Sequence, residues 1–124
     1  MVIDSSAVVA ILKDEPEAQS FIRAIANSQL RLMSAGNLLE AGIVLDNLPV
    51  RGADRRLDRF VRRAGIVIEP VTEAQVAIAR QAYAVFGRGN FGDCVAYALS
   101  KDKGEPLLFK GEDFARTDVD RAAP

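Results

Sequence analysis

The chain has 124 residues, with 16 Lys and Arg against 17 Asp and Glu, for a formal charge of -1. That length sets one domain, 1–124, with a core large enough to fold without staples, and that charge gives no global pull toward nucleic acid or membrane. Cys94 is the only cysteine and histidine is absent, which excludes an internal disulfide, the commonest general base and the commonest transition-metal ligand. Chemistry must then use carboxylates, hydroxyls, Lys, Arg or Cys94. No apolar run approaches the roughly 18 residues that span a bilayer. The N-terminal stretch carries an acid at position 4 and no basic run, so it does not read as a signal peptide. A cytoplasmic protein is expected.

Val2 to Asp4 reads as a short buried strand, with Ser5 or Ser6 capping the apolar helix AVVAIL. Pro16 suits the first turn of a second helix, whose inner face is Ala18, Phe21, Ile22, Ile25 and Ala26. Leu30 to Ser34 is a strand candidate, and a third helix runs from Asn37 to Leu45. After the polar connection Arg51 to Asp54, Leu57, Phe60, Val61 and Ala64 mark one face of a fourth helix. Ile66 to Ile68 is a strand closed by Pro70. Thr72 and Gln75 suggest a capping box for a fifth helix that buries Val76, Ala79, Tyr83 and Phe86. Gly87 and Gly89 break it. Asn90 caps a sixth helix from Phe91 to Lys101, Gly104 ends that helix, and Pro106 to Phe109 is a last strand before the turn KGED. Strands alternating with helices predict a parallel sheet covered on both faces. Ligands in such sheets bind outside the carboxyl ends of the strands.

Four acids fall near that edge. Asp4 ends the first strand, where a turn or cap role would also account for it. Glu40 lies in LLEAGIVL, a helix apolar on nearly every side, so it is expected deep in the core. A Glu there needs a partner, an Arg or a functional one, because isolated burial of its charge costs several kcal/mol. Asp93 opens the sixth helix, where the dipole alone favours an acid. Asp113 follows the last strand, and an Asx-type turn would explain it too. Four carboxylates on one cleft stay ionised together only beside cations. All-oxygen ligation suits Mg²⁺ or Mn²⁺ rather than zinc. Metal-dependent phosphodiester hydrolysis is the leading expectation, since it needs no histidine.

MVIDSSAVVAIL, NLLEAGIVL, NFGDCVAYAL and PLLFKGEDFARTDV together resemble the PIN-domain ribonucleases, and more narrowly the VapC-type toxins of bacterial toxin–antitoxin modules. The resemblance covers nearly the whole chain. It implies a three-layer α/β/α sandwich around a mostly parallel sheet of four to five short strands, and an Mg²⁺- or Mn²⁺-dependent endoribonuclease. It assigns the metal and catalytic site to Asp4, Glu40, Asp93 and Asp113, with Asp4 and Asp93 the most direct ligands, and gives Ser6 an auxiliary hydrogen bond. It also implies a homodimer, structured RNA such as transfer RNA as substrate, and inhibition by a VapB-type antitoxin whose tail fills the groove. One departure is the abrupt stretch Gly87 to Asn90, which in similar sequences is several residues longer.

Arg51, Arg55, Arg56, Arg59, Arg62 and Arg63 form a basic stripe, either a solvated face paired in part with Asp54 and Asp58 or a contact for RNA phosphates. Arg88, Lys110 and Arg116 lie nearer the cleft and are the stronger phosphate candidates. Cys94 follows a carboxylate and has no base, so it reads as a small packing residue. Two other functions compete: a phosphohydrolase acting on small phosphate esters, weakened by the lack of a Gly-rich loop after the first strand, and a non-catalytic module that binds RNA or protein.

Overall fold

The computed structural model describes residues 1–49, 51–87 and 89–123. Four short strands, β1 (Val2–Ile3), β2 (Leu32–Ser34), β3 (Val67–Glu69) and β4 (Leu107–Leu108), form one sheet in the order β3-β2-β1-β4. All pairings are parallel, with Val2 opposite both Leu32 and Leu107, and Leu32 opposite Val67. Each crossover is a helix pair: α1 (Ser5–Leu12) and α2 (Ala18–Asn27), then α3 (Ala35–Asp46) and α4 (Ala53–Arg63), then α5 (Glu73–Phe86) and α6 (Phe91–Lys103). The chain steps outward from β1 to β3, then returns to place β4 on the other side of β1. That reversal opens a crevice between the carboxyl ends of β1 and β4.

Side chains alternate across a strand, and the alternation builds the layers. Ile3, Met33 and Leu108 point into one core, with Val8, Phe21, Ile25, Leu45 and Leu57 from the first four helices. Val2, Leu32 and Leu107 point into the other, with Tyr97, Leu99, Phe109 and Phe114. Ile78, Ala82 and Phe86 of α5 pack on that second core. The result is the expected three-layer sandwich. No helix among the described residues is long and apolar enough to cross a membrane.

Several local expectations shift. Asp4, not Ser5 or Ser6, caps α1, because its carboxylate reaches the Ser6 amide. α2 starts at Ala18 rather than Pro16, α3 starts two residues early behind a Ser34 cap, and β3 lies one residue later than expected. Thr72 does cap α5, but the Gln75 side chain donates to Asp102 instead of closing the box. The buried face of α5 is Gln75, Ile78, Ala82 and Phe86, leaving Val76 and Tyr83 exposed. An apolar residue every three or four positions fits two adjacent stripes on this Ala-rich helix, and packing selects between them. The complete capping box is at α6, where Asn90 and Asp93 exchange bonds.

Candidate active site

The crevice is built from four element ends. At the end of β1, Asp4 takes an extended backbone and is only 3% exposed. Its Oδ2 accepts from the Ser6 amide at 3.0 Å, and its Oδ1 accepts from Asn37 Nδ2 at 3.4 Å. Burial pushes its pKa up to about 6, against the Ser6 hydrogen bonds that lower it, and the charges of Asp93 and Glu40 push the same way as burial.

Glu40 sits on α3 and is half-buried rather than deep in the core, because α3 leaves Leu39, Ile43 and Val44 to solvent. The partner it needs is Ser5, whose Oγ donates to Glu40 Oε1. The carboxylate lies on Gly92, where any Cβ would overlap it. Glycine at that point of α6 is therefore a condition for placing Glu40.

Asp93 stands in the first turn of α6, its Oδ2 accepting from the Asn90 amide at 3.2 Å. Its pKa is raised, by burial first and then by Asp113 and Glu40, while the Asn90 hydrogen bond opposes the rise. Asp113 lies exposed on the loop after β4. With Asp93, Gly89, Asn90, Glu112 and Arg116 it lines an open cleft of about 700 Å³. The acids are thus coupled through Asp93, which feels Asp113 and Glu40, while Asp4 feels Asp93 and Glu40.

None of the four carboxylates forms an ion pair among the described residues. Nor does any group of three or more stand as a ready-made metal cage among those residues. Neutral donors hold the acids apart: Ser5 draws Glu40, and the helix cap draws Asp93. The donor set nonetheless fits a hard divalent cation in its chemistry, being all oxygen, of one charge sign and without His. An added cation would offset the burial that chiefly raises these pKa values and the mutual repulsion that adds to it.

The accessory residues divide. Ser6 serves Asp4 through its amide, while its Oγ accepts from the Lys110 amide at 2.9 Å and ties the β4 loop to α1. The Lys110 ammonium is engaged elsewhere, pairing with Glu15 and, at 3.0 Å, with Glu17. Arg116 does line the cleft. Arg88 lies outside the described residues. In the arginine stripe, Arg56 donates to the Leu12 carbonyl, at the end of α1 away from Asp4. The expected pairing of the stripe with Asp54 and Asp58 is not seen among the described residues. Burial and the Asp93 charge push the Cys94 thiol up, the reverse of what a nucleophile needs.

Ser5, Asn37 and Gly92 touch the candidate acids, and the sequence reading does not single them out as site residues. For Asn37 a signal exists: it lies three residues before Glu40, hence on the same helical face.

The PIN domain family model matches residues 1–120. Ribonuclease VapC28 of Mycobacterium tuberculosis is 50% identical over 129 residues, covering 98% of this chain and 97% of that protein. Ribonuclease VapC of Mycolicibacterium smegmatis is 45% identical, covering 96% of this chain and 97% of that protein. The match to VapC28 is longer than the 124 residues present here, so that relative carries residues this chain lacks. In fold, the crystal structure of Mycobacterium tuberculosis VapC20, a Sarcin-Ricin loop cleaving toxin, aligns with a TM-score of 0.78 at 18% identity, covering 99% of this chain and 98% of that one. The chain belongs to the PIN-domain family and, within it, to the VapC ribonucleases.

Proposed function

We propose that this ribonuclease toxin is one PIN domain, 1–124, that cuts structured RNA with Mg²⁺, for which Mn²⁺ substitutes, held by Asp4 and Asp93 and completed by Glu40 and Asp113. The observation that carries this reading is four carboxylates coupled through Asp93, with Asp4 and Asp93 pushed above their ordinary pKa and no ion pair to any of the four among the described residues. Divalent ions supply water activation, phosphate binding and charge relief at the leaving oxygen. The protein's part is to orient. Asp4 is fixed at both oxygens, Glu40 at one, and Asp93 by its helix cap. Arg116 would hold a substrate phosphate at the rim, with Ser6 steadying Asp4. The structured-RNA class rests on the likeness to VapC20, a Sarcin-Ricin loop cleaving toxin.

Regulation follows from the same reading. A VapB-type antitoxin would place its tail in the groove. A homodimer would cover the apolar surface that α3, α5 and α6 leave to solvent, where Leu39 is 64% and Phe91 70% exposed. The setting is cytoplasmic. The test is cleavage of structured RNA by the purified chain in Mg²⁺, its loss in EDTA and its return with Mg²⁺ or Mn²⁺. Asp4→Ala and Asp93→Ala should each lose cleavage; full activity in either would overturn the assignment.

A further inference from the structure

Asn37 is completely buried on α3. Its Nδ2 donates to the Gly92 carbonyl at 2.9 Å and reaches Asp4 Oδ1 at 3.4 Å. Its Oδ1 is buried with no partner. Turning the amide over would set an oxygen against both the carbonyl and the carboxylate, so its neighbours fix its orientation. A buried amide with an unmet acceptor is costly, and an apolar residue would fill the same space without that cost. The amide is therefore retained for its donor side, and that side joins two places of importance. One is the carboxylate at the end of β1. The other is the residue before Asp93, in the first turn of α6. The adjoining Glu40 carboxylate rests on the same Gly92.

We propose that Asn37 is a positioning residue, a cross-brace whose single amide sets the spacing between the Asp4 and Asp93 carboxylates so that the two engage one divalent cation. This rests on the metal-dependent reading above. Asn37 touches neither cation nor RNA in this role; it acts through Asp4 and the α6 backbone. Without it, Asp4 keeps its Ser6 bond but can turn about it, and the first turn of α6 loses its tie to α3.

The experiment uses Mn²⁺ alone as probe, followed by the paramagnetic resonance of the free ion, on the full chain stripped with EDTA. Asn37→Ala should weaken Mn²⁺ binding about 10- to 100-fold, the range seen when groups that orient metal ligands are removed. Its cleavage of RNA should be regained in part at raised Mn²⁺. A purely structural role would lower the Tm and leave Mn²⁺ affinity where it was, and that result would overturn the proposal. If Asn37→Ala does not fold, Asn37→Ser retains one short donor and is measured instead. An affinity between that of the parent and that of Asp4→Asn supports the brace, and parental affinity refutes it. Asp4→Asn separates the two ideas. If it loses Mn²⁺ while the Asn37 variants keep it, only the brace fails. If the parent and Asp4→Asn bind alike, or the parent binds none, the metal reading fails and takes the brace with it.

Discussion

Asp4 accepts a helix-capping bond from the Ser6 amide while it sits buried in the field of Glu40 and Asp93. The two roles separate under mutation. Asn caps a helix about as well as Asp but carries no charge to bury. In EDTA at pH 8, Asp4→Asn should therefore be more stable than the parent, by on the order of 2 kcal/mol, while losing RNA cleavage. The pH dependence follows from the same shift. Between the ordinary 3.8 and about 6, native Asp4 still holds a proton that the unfolded chain has released. Its contribution to stability is thus complete at low pH and is lost as pH rises through about 6. Urea denaturation of parent and variant at pH 8 and pH 4 checks this: the gap should close at the lower pH. A gap of equal size at both would show that Asp4 is not the group responsible. Asp4 was legible in the sequence as a boundary acid. Its cap role was one of two ordinary readings of that acid, and the sequence alone does not choose among Asp4, Ser5 and Ser6, three adjacent polar residues that can each begin a helix.

Elements differ in how closely they constrain the site. α6 approaches α3 so tightly that Glu40 occupies the space a Gly92 side chain would need. The obstructed group is the end of a flexible side chain rather than backbone, so the fold can yield and the site cannot. Gly92→Ala should change stability by no more than about 1 kcal/mol yet cut cleavage about a hundredfold through displacement of Glu40, as measured by urea denaturation and RNA cleavage. Loss of folding together with activity would contradict that division. At the rim, Arg116→Ala should raise the KM for RNA several-fold with kcat little changed. Lys110→Ala should leave KM near the parental value, because its ammonium already pairs with Glu15 and Glu17. Long elements such as α3 and α6 were readable from period and punctuation. The inner face of α5 was not, since Val76 and Ile78 are equally apolar and only the packing against Tyr97 and Phe114 selects Ile78. The pairing of the Lys110 ammonium was hidden for a related reason: Glu15 lies 95 residues away in sequence, beyond any local pattern.

At the scale of the whole molecule, the acids were readable as a set even though each had an ordinary explanation alone, because the strand order sends Asp4 and Asp113 to the same crevice. Of the neutral layer beneath them only Asn37 carried a signal, its spacing from Glu40; Ser5 and Gly92 did not, since a hydroxyl or a glycine has no distinctive pattern. The exposed apolar faces of α3, α5 and α6 give a prediction at this scale too. The chain should sediment as a dimer, and Leu39→Glu or Phe91→Glu should shift it toward monomer. A parent that is monomeric at micromolar concentration would refute the dimer. Sheet order carries a further consequence, one of timing. β1 is made well before β4, yet Asp4 donates its amide to Leu108 and β4 is the strand that pairs beside β1. The crevice therefore cannot close on a growing chain until β4 and the loop bearing Asp113 have left the ribosome. With the site proposed above, a copy that stops before β4 has no closed crevice with which to cut RNA. A growing chain gains nuclease activity at that proposed site only after β4 and the Asp113 loop have been made and have docked beside β1.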